Sequence, residues 1–102
     1  MEQIVLKVHS GLAGKMKLLI NVFGNNDLFV DRFIDFHINR LKREITKMQI
    51  ELDKYETKYK IESAEFYKRF EQGEFGDEKD FMLWSGIYEL MADSKKKLSK
   101  MI

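Results

Sequence analysis

The sequence predicts a mainly α-helical protein, and three observations carry that expectation. None of the 102 residues is proline, so nothing blocks long uninterrupted helices. Apolar residues recur at steps of three and four through most of the chain. One such run, Ile34, Ile38, Leu41, Ile45, Met48, Leu52, Tyr55 and Tyr59, alternates steps of four and three for about four heptads. The expected order is a short N-terminal strand, a helix, a turn, a long heptad-bearing helix, a short helix and a C-terminal fold-back helix.

The strand comes first. From Glu2 to His9 the residues alternate, with Ile4, Leu6 and Val8 on one face and Gln3, Val5, Lys7 and His9 on the other. A lone strand cannot satisfy its own backbone groups, so it pairs with a second copy or another chain, or lies against the helices as irregular structure. Ser10 is suited to cap a helix from about Gly11, along which Leu12, Met16, Leu19, Ile20 and Phe23 form an apolar stripe that Gly14 weakens. Gly24-Asn25-Asn26-Asp27 then stops one helix and starts the next, glycine taking the left-handed conformation and Asn or Asp supplying a cap.

A helix from about Leu28 to Lys60 would be roughly 50 Å long at 1.5 Å per residue. Its seam needs another helix alongside, from a second copy or from the chain folding back. In a parallel homodimer Glu51 would face Glu56 and Glu44 would face Gln49, so charge lends that arrangement no support, and antiparallel or hetero-helical packing stays open. Phe29, Val30, Phe33 and Phe36 widen the apolar surface near its start. Beyond Tyr59, Ser63 is suited to cap a short helix holding Phe66, Tyr67 and Phe70 and ending near Gln72-Gly73. Asp77 is suited to cap a last helix, with Glu78 and Asp80 in its first turn and Phe81, Trp84, Ile87, Tyr88, Met91 and Leu98 along its stripe.

Composition narrows the function classes. With 34% charged, 44% hydrophobic and 13% aromatic residues, the chain is neither a disordered tail nor a membrane protein. Cysteine is absent, which removes disulfides, thiolate metal sites and thiol nucleophiles and makes a reducing, cytoplasmic setting the expectation. No signal-peptide pattern opens the chain, and no stretch of about eighteen apolar residues suggests a membrane span. The near-neutral total hides a gradient: residues 1–60 carry 11 basic and 8 acidic side chains, whereas residues 61–93 carry 3 basic and 9 acidic ones. Lys95, Lys96, Lys97 and Lys100 then suit a helix end.

Catalytic and metal-binding patterns are missing. His9 and His37 share no ligand spacing, the acids from Glu71 to Asp80 lack the order of a calcium loop, and neither a nucleophile elbow nor a phosphate-cradling glycine loop is present. The expectation is a non-enzyme without cofactor or metal.

The order strand Gln3–His9, helix to Phe23, Gly24-Asn25-Asn26 turn and second helix resembles a ribbon–helix–helix DNA-binding domain over residues 1–45. What the resemblance implies is a homodimer whose paired strands enter the major groove of double-stranded DNA. Gln3, Val5 and Lys7 would then face the bases, and Gly24, Asn25 and Asn26 would hold a phosphate at the second helix start. Val5 places an apolar group in the reading face, and the second helix exceeds the family's usual length.

Residues 46–102 form a coiled-coil extension and a helical tail. Within them Tyr55, Lys58-Tyr59, Glu65-Phe66-Tyr67, Phe70-Glu71, Gly73-Glu74, Gly76-Asp77, Asp80-Phe81, Trp84 and Tyr88-Glu89 resemble the C-terminal part of small helical prokaryotic antitoxins. That resemblance implies an acidic, aromatic tail binding a basic toxin, with Phe66, Phe70, Phe81, Trp84 and Tyr88 as anchors. Packing of the same rings on the long helix is the competing reading. Ile34, Ile38, Leu41, Ile45, Met48, Leu52 and Tyr55 are the expected oligomerisation residues. The function expected is toxin neutralisation with autoregulation through DNA; the alternative is a coiled-coil scaffold touching neither.

Overall fold

A computed structural model describes residues Met1–Ile102. The chain is built from four helices, α1 (Ser10–Phe23), α2 (Asn26–Tyr59), α3 (Ser63–Glu71) and α4 (Lys79–Met101). It divides into two compact units, Met1–Phe36 and His37–Ile102. No helix is long and apolar enough to cross a membrane.

In the first unit, the expected strand from Gln3 to His9 is not formed, and residues 1–9 carry no regular secondary structure. The physical reason is the one that made it conditional: a single chain offers no neighbouring strand to close the hydrogen-bond ladder. Ser10 is the first helical residue instead of a cap, and the N-cap position falls on His9, whose side chain makes no capping bond. The helix end behaves as the sequence implies. Gly24 takes φ 79°, and its N–H donates to the carbonyls of Ile20 and Asn21, closing α1.

This unit has little interior. Phe29 is its one buried side chain, meeting Phe23 edge-on at 5.6 Å and Phe33 at 5.9 Å. Ile4, Leu6, Leu12 and Leu19 remain 45–77% exposed, and Phe33 is 48% exposed.

The second unit is closed by its own residues. At the end of α2, Lys60 adopts φ 55°, a left-handed conformation uncommon for a side chain with a Cβ, and reverses the chain into α3. Ser63 does not cap α3 through its side chain; the N-cap position is Glu62, and the Ser63 N–H donates to Glu56 Oε2 at 2.7 Å. Gly73, at φ 77°, helps to terminate the turn after α3. Asp77 likewise does not cap α4, whose N-cap position is Glu78.

The fold-back helix expected after residue 77 is present. Tyr59 meets Phe81 and Tyr55 meets Trp84, while Leu52 and Met91 share the same buried cluster, so α4 runs back along α2 in the opposite direction. Leu52, Phe66, Trp84 and Met91 form the buried centre, and Ile45, Met48, Tyr55, Tyr59, Phe70, Phe81 and Tyr88 pack around it. Ile45, Met48, Leu52 and Tyr55 thus pack in or against the cluster that the chain's own α3 and α4 complete. Ile38 and Leu41 are half-buried, and Ile34, in the first unit, is exposed.

Leu52 is 1% exposed. Leu52→Ala removes buried methyl groups and leaves a cavity, so it is expected to cost about 2–5 kcal/mol of the second unit's stability. Urea unfolding followed by Trp84 fluorescence measures this; a loss below about 0.5 kcal/mol, the level of a surface change, would contradict the assigned core.

Candidate functional site

Two sets of sequence-predicted residues occupy the two units. In the first, Gln3, Val5 and Lys7 are all exposed, on a segment that no helix holds. Gly24, Asn25 and Asn26 lie at the α1–α2 turn. Asn25 is the residue that organises it: its Oδ1 accepts the Leu28 N–H at 2.7 Å, and its carbonyl accepts the Phe29 N–H at 3.2 Å. Those bonds begin α2 by side-chain capping. The following first-turn N–H groups, of Asn26 and Asp27, have no intrahelical acceptor by helix geometry, so the helix start presents donors and a positive dipole end. Asp27 lies in this first turn and offsets part of that field.

Residues Glu2 to Leu6 border an open groove of about 720 Å³ with Met16, Ile20, Asn26, Asp27, Phe29, Val30 and Phe33. Its walls are largely apolar side chains that also count among the exposed ones. The N-terminal segment therefore sits beside the helices as irregular chain, with its alternation of Ile4, Leu6 and Val8 not used to close an interior.

In the second unit the five predicted partner anchors are largely interior. Phe66 and Trp84 are both 0% exposed and stack face to face at 3.7 Å with planes 2° apart. Trp84 also stacks on Tyr55 at 5.5 Å and Tyr59 at 5.6 Å. Phe70, Phe81 and Tyr88 are half-buried on the edge of this cluster. Phe66 and Trp84 cannot reach another molecule without opening the fold, so as anchors they are corrected to core residues; helical spacing serves core and interface equally well.

Polar side chains to which the sequence reading gave other roles hold the cluster in place. The Trp84 Nε1–H donates to Ser63 Oγ at 2.9 Å, and no buried side-chain nitrogen or oxygen lacks a partner. Asp80 Oδ2 accepts from Lys58 Nζ at 2.7 Å and from the Tyr59 hydroxyl, joining the end of α2 to the first turn of α4. The Tyr67 hydroxyl donates to Glu89, tying α3 to α4, and its ring lies 4.8 Å from that of Tyr88. The Glu89 hydrogen bond, then burial and Glu71, push the Tyr67 hydroxyl above its ordinary range. These pairs are 21 and 22 residues apart, beyond any local spacing rule, although a tyrosine beside an apolar stripe is a recurrent sign of a hydroxyl seeking a partner.

Nowhere do three or more His, Asp or Glu side chains converge as a metal-binding group would. No family model, curated protein or solved structure matches the chain.

The Lys58–Tyr59–Asp80 clamp has a definite pH signature. Hydrogen bonds from Lys58 and then Tyr59 hold the Asp80 carboxyl below its ordinary 3.8. The Asp80 hydrogen bond is also the main cause that raises Lys58 above 10.5 and Tyr59 above 10.0. A depressed acid contributes stability above its unfolded value and loses it as pH falls through the folded one. Raised Lys58 and Tyr59 contribute below their unfolded values and lose it as pH rises through the folded ones. Thermal melts across pH should therefore show a plateau falling at both ends, with Asp80→Asn flattening both limbs; unchanged limbs in that variant would remove the clamp from the stability of the unit.

Proposed function

We propose that the chain is a homodimeric, DNA-binding, antitoxin-like protein. Two copies pair Gln3–His9 as antiparallel strands, close their N-terminal apolar faces on one another and present Gln3, Val5 and Lys7 to the major groove. The second unit engages a basic toxin partner by occupancy rather than catalysis.

One observation carries this reading. The first unit buries a single side chain while Ile4, Leu6, Val8, Leu12, Leu19 and Phe33 stay exposed. Covering such side chains is worth roughly 1.5–3 kcal/mol each, and an apolar surface of this kind on a folded chain marks an interaction face. A second copy is the occupant that supplies both a matching apolar face and the missing strand, because a two-fold interface is self-complementary. The ribbon–helix–helix resemblance and the Asn25-capped start of α2 then favour double-stranded DNA as the ligand of the paired unit.

For the second unit, the support is charge. Residues 61–93 carry 9 acidic and 3 basic side chains, and a field of that sign steers a basic protein. With Phe66 and Trp84 in the core, contact falls to the exposed acids of α3 and the α3–α4 loop and to the accessible edges of Phe70, Phe81 and Tyr88. Internal pairing of the seam from Ile45 to Tyr59 leaves less of it for a coiled-coil scaffold.

Sedimentation equilibrium over a concentration series is expected to report a dimer, and gel shifts on the DNA upstream of the reading frame a complex that Lys7→Glu abolishes. A monomer at every concentration, or DNA binding indifferent to Lys7→Glu, would overturn the N-terminal part of the proposal. For the second unit, co-expression with the product of the adjoining reading frame should relieve its growth inhibition; no relief removes the toxin claim.

A further inference from the structure

We infer that the outward face of α2 in the second unit is a phosphate-contacting surface for duplex nucleic acid, separate from the N-terminal residues assigned above; this rests on the DNA-binding reading and extends its footprint. Arg40, Arg43, Lys47 and Lys54 are exposed and follow steps of three, four and seven residues. At 100° per residue they fall within an arc of about 60°, and at 1.5 Å per residue they extend along roughly 21 Å of helix. The arc lies on the side of α2 away from Leu52, the residue that α3 and α4 bury.

The outer two cations have acidic neighbours: Arg40 pairs with Glu44 and Lys54 with Glu51, each at 3.1 Å. The same two acids flank Lys47 at three and four residues, but in the structure they turn to Arg40 and Lys54. Arg43 and Lys47 enter no ion pair, although they stand four residues apart, where like charges oppose helix formation. With Lys42 and Thr46 they line a shallow, open depression of about 300 Å³.

The chemistry of the arc selects the occupant. Ile50, just outside the arc, is the one large apolar residue beside it, and there is no aromatic side chain between Arg40 and Lys54 on this face, so it lacks the desolvated anchor that protein interfaces are built around. Phosphate contact requires no such anchor; it requires cations and hydrogen-bond donors, which release counterions when they meet the backbone. A duplex offers a phosphate about every 3.4 Å of axis on each strand, so a linear row of cations finds partners without a sequence-specific register.

The test uses the full chain with two probes, a random-sequence duplex and the duplex upstream of the reading frame, and measures binding against salt. Arg43→Gln/Lys47→Gln is expected to weaken both complexes at low salt and to make the log–log salt dependence shallower by about 0.9 for each cation removed. Arg43→Lys/Lys47→Arg should restore the slope. Both variants should keep the wild-type melting temperature, since neither side chain contacts the core.

If the upstream duplex binds and responds to Lys7→Glu while the Gln variant keeps the wild-type slope, the α2 surface is refuted and the N-terminal reading stands. A slope that follows the Gln variant but ignores Lys7→Glu supports the α2 surface and refutes the N-terminal reading. Absence of duplex binding by the wild-type chain overturns both. A slope unchanged in duplex, together with loss of an acidic protein partner in the Gln variant, also overturns the inference.

Discussion

Trp84 touches no water and holds three rings of two other helices at once: Phe66 of α3 at 3.7 Å, and Tyr55 and Tyr59 of α2 at 5.5 and 5.6 Å. Its indole N–H would be costly to bury without an acceptor. Ser63 supplies one at the first turn of α3, and the Ser63 N–H is itself taken by Glu56 of α2. One residue therefore ties three helices together through its ring contacts and its polar edge. The position of Ser63 follows from the left-handed Lys60 that ends α2, so the reversal and the stack require one another. Everything else in the second unit, including the Asp80 clamp and the Tyr67–Glu89 bond, is arranged around this centre.

The two units spend their apolar residues differently. In the second, the aromatics expected to face a partner are used largely internally, and the exposed surface of α3 and the α3–α4 loop is rich in acids. In the first, apolar residues are abundant but only Phe29 is sheltered. A face of that kind is stable when something covers it, and the free backbone of residues 1–9 carries the same demand in hydrogen-bond form. Exposed apolar side chains and a backbone outside any ladder thus coincide in one segment. Opposite to the buried seam of the second unit, α2 turns a row of cations outward, and the unpaired Arg43 and Lys47 give that row a chemistry distinct from the acidic α3–α4 side.

Several features were readable before any coordinates. Helix order followed from the lack of proline and from three-and-four spacing, and the Gly24-Asn25 turn from the conformational tolerance of glycine and the hydrogen-bonding reach of asparagine. The caps fared less well. Ser10, Ser63 and Asp77 each have the right chemistry, but α1, α3 and α4 have N-cap positions at His9, Glu62 and Glu78. Ser63 was withdrawn from capping by Trp84, a residue 21 positions away, which no local rule could weigh.

By itself, then, the sequence determined what is local: which stretches are helical, which edges are apolar, where the chain can reverse, and how charge is distributed along it. Tertiary structure alone decided pairing. Periodicity states that Ile45 to Tyr59 need a companion but not whose, and α4 supplied it because the left-handed reversal at Lys60 and the Ser63–Trp84 bond bring the chain back along its own seam. The same indeterminacy governs Gln3–His9, where alternation fits a strand but the single chain supplies no neighbour to complete its ladder. Short-range physics is written residue by residue; the identity of a partner depends on which surfaces meet first in three dimensions.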